Sequence, residues 1–202
     1  AQLLFNIPTR IARVRSSGFD SEVLTSNEGF GVSRIIRPEE SLTRYIGKLI
    51  EHPEAMQVRE FAGGRACLVS TRARAGAPMV GRTIGAIRAS TPELAMRIVA
   101  LYRRLPDEPD RFVACDGETR IEAGDEVFVL SASENISVVL RGLHRPVGHV
   151  TRAVRRVMIA GGGAVGLRLA QQLGQEPGRF HVKIFEEDAE RCVELASLLP
   201  SE

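Results

Sequence analysis

Val157-Met158-Ile159-Ala160 is a short apolar run that leads directly into Gly161-Gly162-Gly163-Ala164-Val165-Gly166. A strand, a GxGxxG turn and then a helix is the order that a dinucleotide's pyrophosphate requires. Backbone N–H groups at the helix N-terminus supply the hydrogen bonds, and the helix dipole supplies positive potential. Gly161 permits the tight turn, Gly163 keeps a Cβ out of the path of the pyrophosphate, and Gly166 lets the helix approach the sheet. The next strand is read in His181-Val182-Lys183-Ile184-Phe185-Glu186, and Glu186 lies 20 residues after Gly166. An acid at that strand end suits a bidentate contact to ribose hydroxyls. It favours NAD over NADP, because its charge repels a 2′-phosphate. The same residues allow a second reading, in which the glycines serve packing alone and Glu186 is an exposed strand-end acid, with Glu187 beside it as a competitor.

No catalytic or metal site is expected. His52, His144, His149 and His181 are scattered and lack metal-ligand spacing, and no Ser/His/Asp or Cys/His arrangement emerges. Cys67, Cys115 and Cys192 are odd in number and widely separated, which supports neither a zinc site nor a disulfide framework. Each is read as a small buried apolar residue in a reducing compartment.

The 202 residues are 44% hydrophobic and 26% charged, as in a soluble globular chain of one or two domains. A net charge of +2 is too mild to argue for nucleic acid. Apolar runs fall well short of a membrane span, and no signal peptide is visible at the start. Ala1 to Phe5 reads as the last turns of a helix ended by Asn6 and Pro8, so an internal segment of a longer protein is expected. The glycine-turn domain is correspondingly expected to begin in this chain without being completed in it.

Several elements must position these residues. Arg10 to Arg15 is β-like, Ser16-Ser17-Gly18 punctuates it, and a second strand is expected over Val32 to Ile36. Pro38-Glu39-Glu40 opens a helix in which Leu42, Tyr45, Ile46, Leu49 and Ile50 form one apolar face, and Pro53 ends it. Gln57 to Phe61 and Arg65 to Thr71 read as a hairpin about Gly63-Gly64. A short helix around Ile84 to Arg88, a strand at Ala95 to Arg103, a turn at Pro106 to Asp110, and strands at Arg111 to Cys115 and Glu126 to Leu130 follow. Ser131 and Glu134 are spaced as a capping box before an amphipathic helix carrying Ile136, Val139, Leu140 and Leu143. This middle block is a small α+β unit. Residues 135 to 175 contain no acid but carry Arg141, Arg145, Arg152, Arg155, Arg156 and Arg168. They read as a solvated basic connector marked by Pro146 and Gly148, or as a face meeting an acidic partner or an anionic membrane surface.

The segments Leu4 to Arg15, Ile36-Arg37-Pro38-Glu39, Leu49 to Pro53, Gly76 to Gly81, Ile121 to Phe128, Arg155 to Gly166 and Val182 to Glu186 together resemble, in order, the TrkA family of RCK (KTN) regulatory proteins of bacterial Trk potassium uptake. The resemblance implies an α/β fold in four parts. Residues 1–52 would be the C-terminal part of a first Rossmann-like nucleotide-binding domain with its crossover helix, and 53–140 an α+β RCK C-terminal domain. Residues 141–153 would be a linker, and 154–202 the start of a second Rossmann-like domain. It implies NAD or NADH as cofactor, with ATP or ADP as further ligands. Arg13 would belong to the first site, and Gly161, Gly162, Gly163, Ala164, Val165, Gly166 and Glu186 to the second. It further implies a non-enzymatic homo-oligomer in the cytoplasm, peripheral on the inner face of the membrane, acting on a potassium-translocating Trk subunit. The residues alone leave open an NAD- or FAD-dependent oxidoreductase and a nucleotide-free assembly module.

Overall fold

The computed structural model describes residues 7–14, 21–26, 29–104, 109, 111–145, 148, 153–176 and 178–199. These fall into two compact units, Ala1–Ile46 with Arg156–Glu202, and Gly47–Arg155. The expected features at Ala1 to Phe5, Ser16 to Gly18, Pro146, His149 and Arg152, and most of the Pro106 to Asp110 turn, lie outside the described residues.

Strand β1 (Ile11–Arg13) and strand β2 (Arg34–Ile36) pair in parallel, with Arg13 opposite Ile36. Between them runs helix α1 (Ser21–Thr25), which the sequence pattern did not announce. Helix α2 (Pro38–Glu51) starts at the expected proline, with Glu39 and Glu40 in its first turn and Lys48 in its last, both favourable to the macrodipole. Its most buried positions are Thr43 and Gly47, one turn apart, whereas Leu42 is 45% exposed. The buried stripe is thus rotated from the expected apolar face. The Thr43 hydroxyl is satisfied within the helix by the Glu39 carbonyl.

Strands β3 (Ala55–Phe61), β4 (Ala66–Arg72), β5 (Met96–Arg103), β6 (Arg111–Val113) and β7 (Glu126–Ala132) form one antiparallel sheet in the order β3-β4-β7-β5-β6. The β3–β4 hairpin turns through Ala62, Gly63 and Gly64, all at positive φ. Register places Val58, Val69, Val129 and Ile98 side by side in one row across the sheet, and all four are buried. Burial of each such side chain is worth about 1.5–3 kcal/mol. Helix α3 (Ile84–Ser90) is capped by the Thr83 hydroxyl, which accepts from the Ala86 amide. Helix α4 (Ile136–His144) adds Ile136, Val139, Leu140 and Leu143 to the same core, as its periodicity implied.

Ser131 and Glu134 do not form the expected capping box. Ser131 is still part of β7, opposite Cys67 and Met96, and its hydroxyl donates to the Ala95 carbonyl. A strand residue fixed by two neighbours has no freedom to fold forward onto a helix. The basic connector expected from residue 141 is helical as far as His144. Gly142 and Leu143 are buried there, and Arg145 pairs with Glu54 at 2.8 Å. Of the cysteines only Cys67 is buried; Cys115 is half-buried, where burial raises its thiol pKa, and Cys192 is exposed.

The chain continues through strand β8 (Arg156–Ala160), helix α5 (Ala164–Gly174), strand β9 (His181–Phe185) and helix α6 (Ala189–Leu198). The two strands pair in parallel, Ala160 opposite Phe185, which makes this a βαβ unit with a following helix. Leu169 and Leu173 are buried on α5 at the spacing the sequence suggested. Among the described residues, no helix is long and apolar enough to cross a membrane.

Candidate functional site

At the C-terminal end of β8, the Gly161 amide donates to the Phe185 carbonyl at 2.8 Å, so the turn leaves the sheet from a fixed point. Gly161 has φ +99°, a conformation that an L side chain adopts only under strain. Gly166 is needed for a different reason, since a Cβ there would stand 2.1 Å from the Gly161 carbonyl oxygen. Gly163 is the N-cap of α5, and a Cβ at Gly163 would meet nothing within 4 Å. The fold therefore needs Gly161 and Gly166 for itself. Gly163 clears space on the open side of the turn.

The α5 N-terminus carries no acid of its own, and Gly163 gives no side-chain cap. The amides of Gly163, Ala164 and Val165 have no hydrogen-bond partner among the described residues. Unsatisfied donors with the positive end of a dipole behind them form an anion cradle.

Glu186 sits beside this cradle, but its carboxylate is already engaged. Oε2 accepts from the Gly162 amide at 2.6 Å, and Oε1 accepts from the Glu187 amide at 2.9 Å and the Asp188 amide at 3.2 Å. A carboxylate offers roughly four acceptor positions, so about one remains. The carboxylate therefore has room for one ribose hydroxyl; the bidentate contact expected from the sequence requires an amide to be released. Glu187, the competing acid, adds only its amide to this arrangement. The hydrogen bonds from Gly162, then Asp188 and Glu187, and the charge of Arg191, hold the Glu186 carboxyl below its ordinary pKa.

A pH dependence follows from that depressed pKa. The stabilisation that Glu186 gives the turn is complete above the ordinary carboxyl range and is lost as pH falls through the lower folded value. The Gly162 amide proton resonance is expected to hold steady down to that range and to move only below it. In Glu186→Gln the movement should vanish. A transition centred above the ordinary carboxyl range would contradict the assignment.

Helix α6 begins here, with Asp188 Oδ1 accepting from the Glu190 amide at 2.9 Å and the Arg191 amide at 3.1 Å. Arg191 was not singled out by sequence reasoning. Its Nε and Nη2 donate to the Gly162 carbonyl at 3.0 and 2.9 Å. Only an acid-capped helix start at Asp188 could have hinted that an arginine in that first turn faces the glycines.

Seven of the eight expected site residues thus come together: Gly161 to Gly166 as the turn and first helical residues, and Glu186 at their side. Arg13, the eighth, belongs by expectation to a different, first site. It is exposed on β1, in the separate β1–β2 sheet. Among the described residues, no His, Cys, Asp and Glu cluster could hold a metal ion.

Comparison with known proteins bears on the whole chain. Residues 68–143 match the TrkA-C domain family. The Trk system potassium uptake protein TrkA of Halomonas elongata is 40% identical over 200 residues, covering 98% of this chain and 41% of that protein. The protein of the same name from Vibrio alginolyticus is 37% identical over 198 residues, covering 97% of this chain and 41% of that protein. This chain therefore spans about two fifths of the length of these relatives. Among solved structures, the GsuK channel aligns at 17% identity and a TM-score of 0.47, over 90% of this chain and 32% of that one.

Proposed function

Because this chain belongs to the TrkA family, we propose that it is part of a nucleotide-responsive regulatory subunit that controls a membrane potassium-uptake transporter. The observation that carries this reading is the amide row at Gly163, Ala164 and Val165, unpartnered among the described residues and beside the Glu186 carboxylate. Such a row accepts a diphosphate, and Glu186 accepts a ribose hydroxyl. NAD or NADH is the ligand of first choice; ATP and ADP carry the same diphosphate and ribose. Arg13 would serve a separate nucleotide site on β1.

In this reading the chain performs no chemistry on the nucleotide. Binding favours one arrangement of a homo-oligomer, and only a difference in affinity between arrangements can shift their balance. The shift reaches the translocating Trk subunit from the cytoplasmic face of the membrane, where the regulator sits peripherally.

Isothermal titration of the complete protein with NADH, and separately with ATP, tests this. Saturable binding of at least one is the expected result. Heat of dilution alone with every adenine nucleotide would leave only an assembly module. Sustained consumption of NADH with a reducible substrate would instead favour an oxidoreductase.

A further inference from the structure

We propose that Arg191 is a positioning residue of the nucleotide site, aiming the Gly163 amide at the ligand's diphosphate; this rests on the nucleotide reading above. The Gly162 backbone is held at both ends by side chains from the far side of the turn. Its N–H is taken by Glu186 Oε2 at 2.6 Å, and its carbonyl oxygen by Arg191 Nε and Nη2 at 3.0 and 2.9 Å. The peptide joining Gly162 to Gly163 is trans and planar, as no cis bond occurs among the described residues. Its carbonyl and its N–H therefore point in opposite directions. Fixing the Gly162 oxygen toward Arg191 turns the Gly163 N–H away from it, to the side where that amide has no partner among the described residues.

The guanidinium is itself held. Arg191 Nη1 donates to Glu194 Oε2 at 2.6 Å, one turn further along α6. Three of its nitrogens are thus assigned, and a planar fork gripping one oxygen through two of them resists rotation in a way that a single ammonium does not. Glycines on both sides of this peptide give it no side-chain restraint of its own, so an external clamp decides its orientation. A freely rotating peptide would lose ordering entropy each time it met a diphosphate; the clamp removes that loss before binding.

The complete protein with Arg191→Met keeps the aliphatic stem and loses the fork. Its affinity for ADP and NADH is expected to fall on the order of tenfold, the scale of one hydrogen bond to a charged group. Its affinity for adenosine, followed by NMR titration at millimolar concentration, should not change, because adenosine has no diphosphate. Arg191→Lys should recover part of the ADP affinity through one donor. Equal losses for ADP, NADH and adenosine would mean that Arg191 only maintains the fold, and no loss for ADP would remove it from the site; either result overturns the proposal. If the unaltered protein binds neither ADP nor NADH, the nucleotide reading itself fails, and this inference with it.

Discussion

Gly163→Val is expected to abolish or reduce by at least about tenfold the binding of NADH to the βαβ site, while the βαβ unit stays folded. The fold tolerates the side chain because a Cβ at position 163 meets nothing within 4 Å, and its backbone, at φ −65° and ψ −172°, is open to any residue. The cost to stability is about 1 kcal/mol, from replacing glycine with a poor N-cap. Binding should not tolerate it if the proposed site is correct, since the added atoms would stand in the open space beside the Gly163, Ala164 and Val165 amides. Gly166→Ala is the contrasting case. Its Cβ would lie 2.1 Å from the Gly161 carbonyl oxygen, a backbone atom with nowhere to go. That variant should lower the thermal midpoint of the βαβ unit and lose binding only as a consequence. Titration calorimetry and melting curves on the two variants separate the roles. Unchanged NADH affinity in Gly163→Val would remove the amide row from consideration as the ligand cradle.

The second large effect is expected at Asp125, far in sequence from the glycine turn. Its side chain is 1% exposed and accepts from Arg103 Nε and Nη2, both at 2.8 Å, and from the Glu122 amide at 2.8 Å. Arg103 also donates to Glu122 Oε1 at 2.6 Å and to the Arg120 carbonyl at 3.0 Å, so one guanidinium ties β5 to the whole approach into β7. The Asp125 hydrogen bond is the largest influence raising the Arg103 pKa. Asp125→Ala leaves a mostly buried guanidinium and a backbone amide without their acceptor, and should destabilise the sheet unit by about 3 kcal/mol or more. A fall in the urea midpoint without a change in the slope is the expected signature. Arg103→Met with Asp125→Leu removes both charges together and should recover much of the loss. A wild-type midpoint in Asp125→Ala would mean that the pair contributes nothing.

These two sites differ in how far they could be read in advance. The glycine turn was legible because its requirements are local: a strand, three glycines at fixed spacing, a helix and an acid 20 residues on. The Arg103–Asp125 latch was not legible. Its partners are 22 residues apart, and only the pairing of β5 with β7 brings them together.

The sequence by itself determined the βαβ order around Gly161 to Glu186, the start of α2 at Pro38, the β3–β4 hairpin and the buried stripe of α4. In each of these a period, a proline or a glycine acts on near neighbours, and local sterics leave few alternatives. Tertiary structure alone decided the rest. Ser131 became a strand residue because Cys67 and Met96 flank it. On α2, Thr43 and Gly47 became the buried positions in place of Leu42. Three amides nearly filled Glu186, and Arg191 reached across to the Gly162 carbonyl. Such outcomes depend on which elements lie side by side, and a polar group or helix face takes whatever partner that packing supplies, so spacing along the chain could not name the partner beforehand.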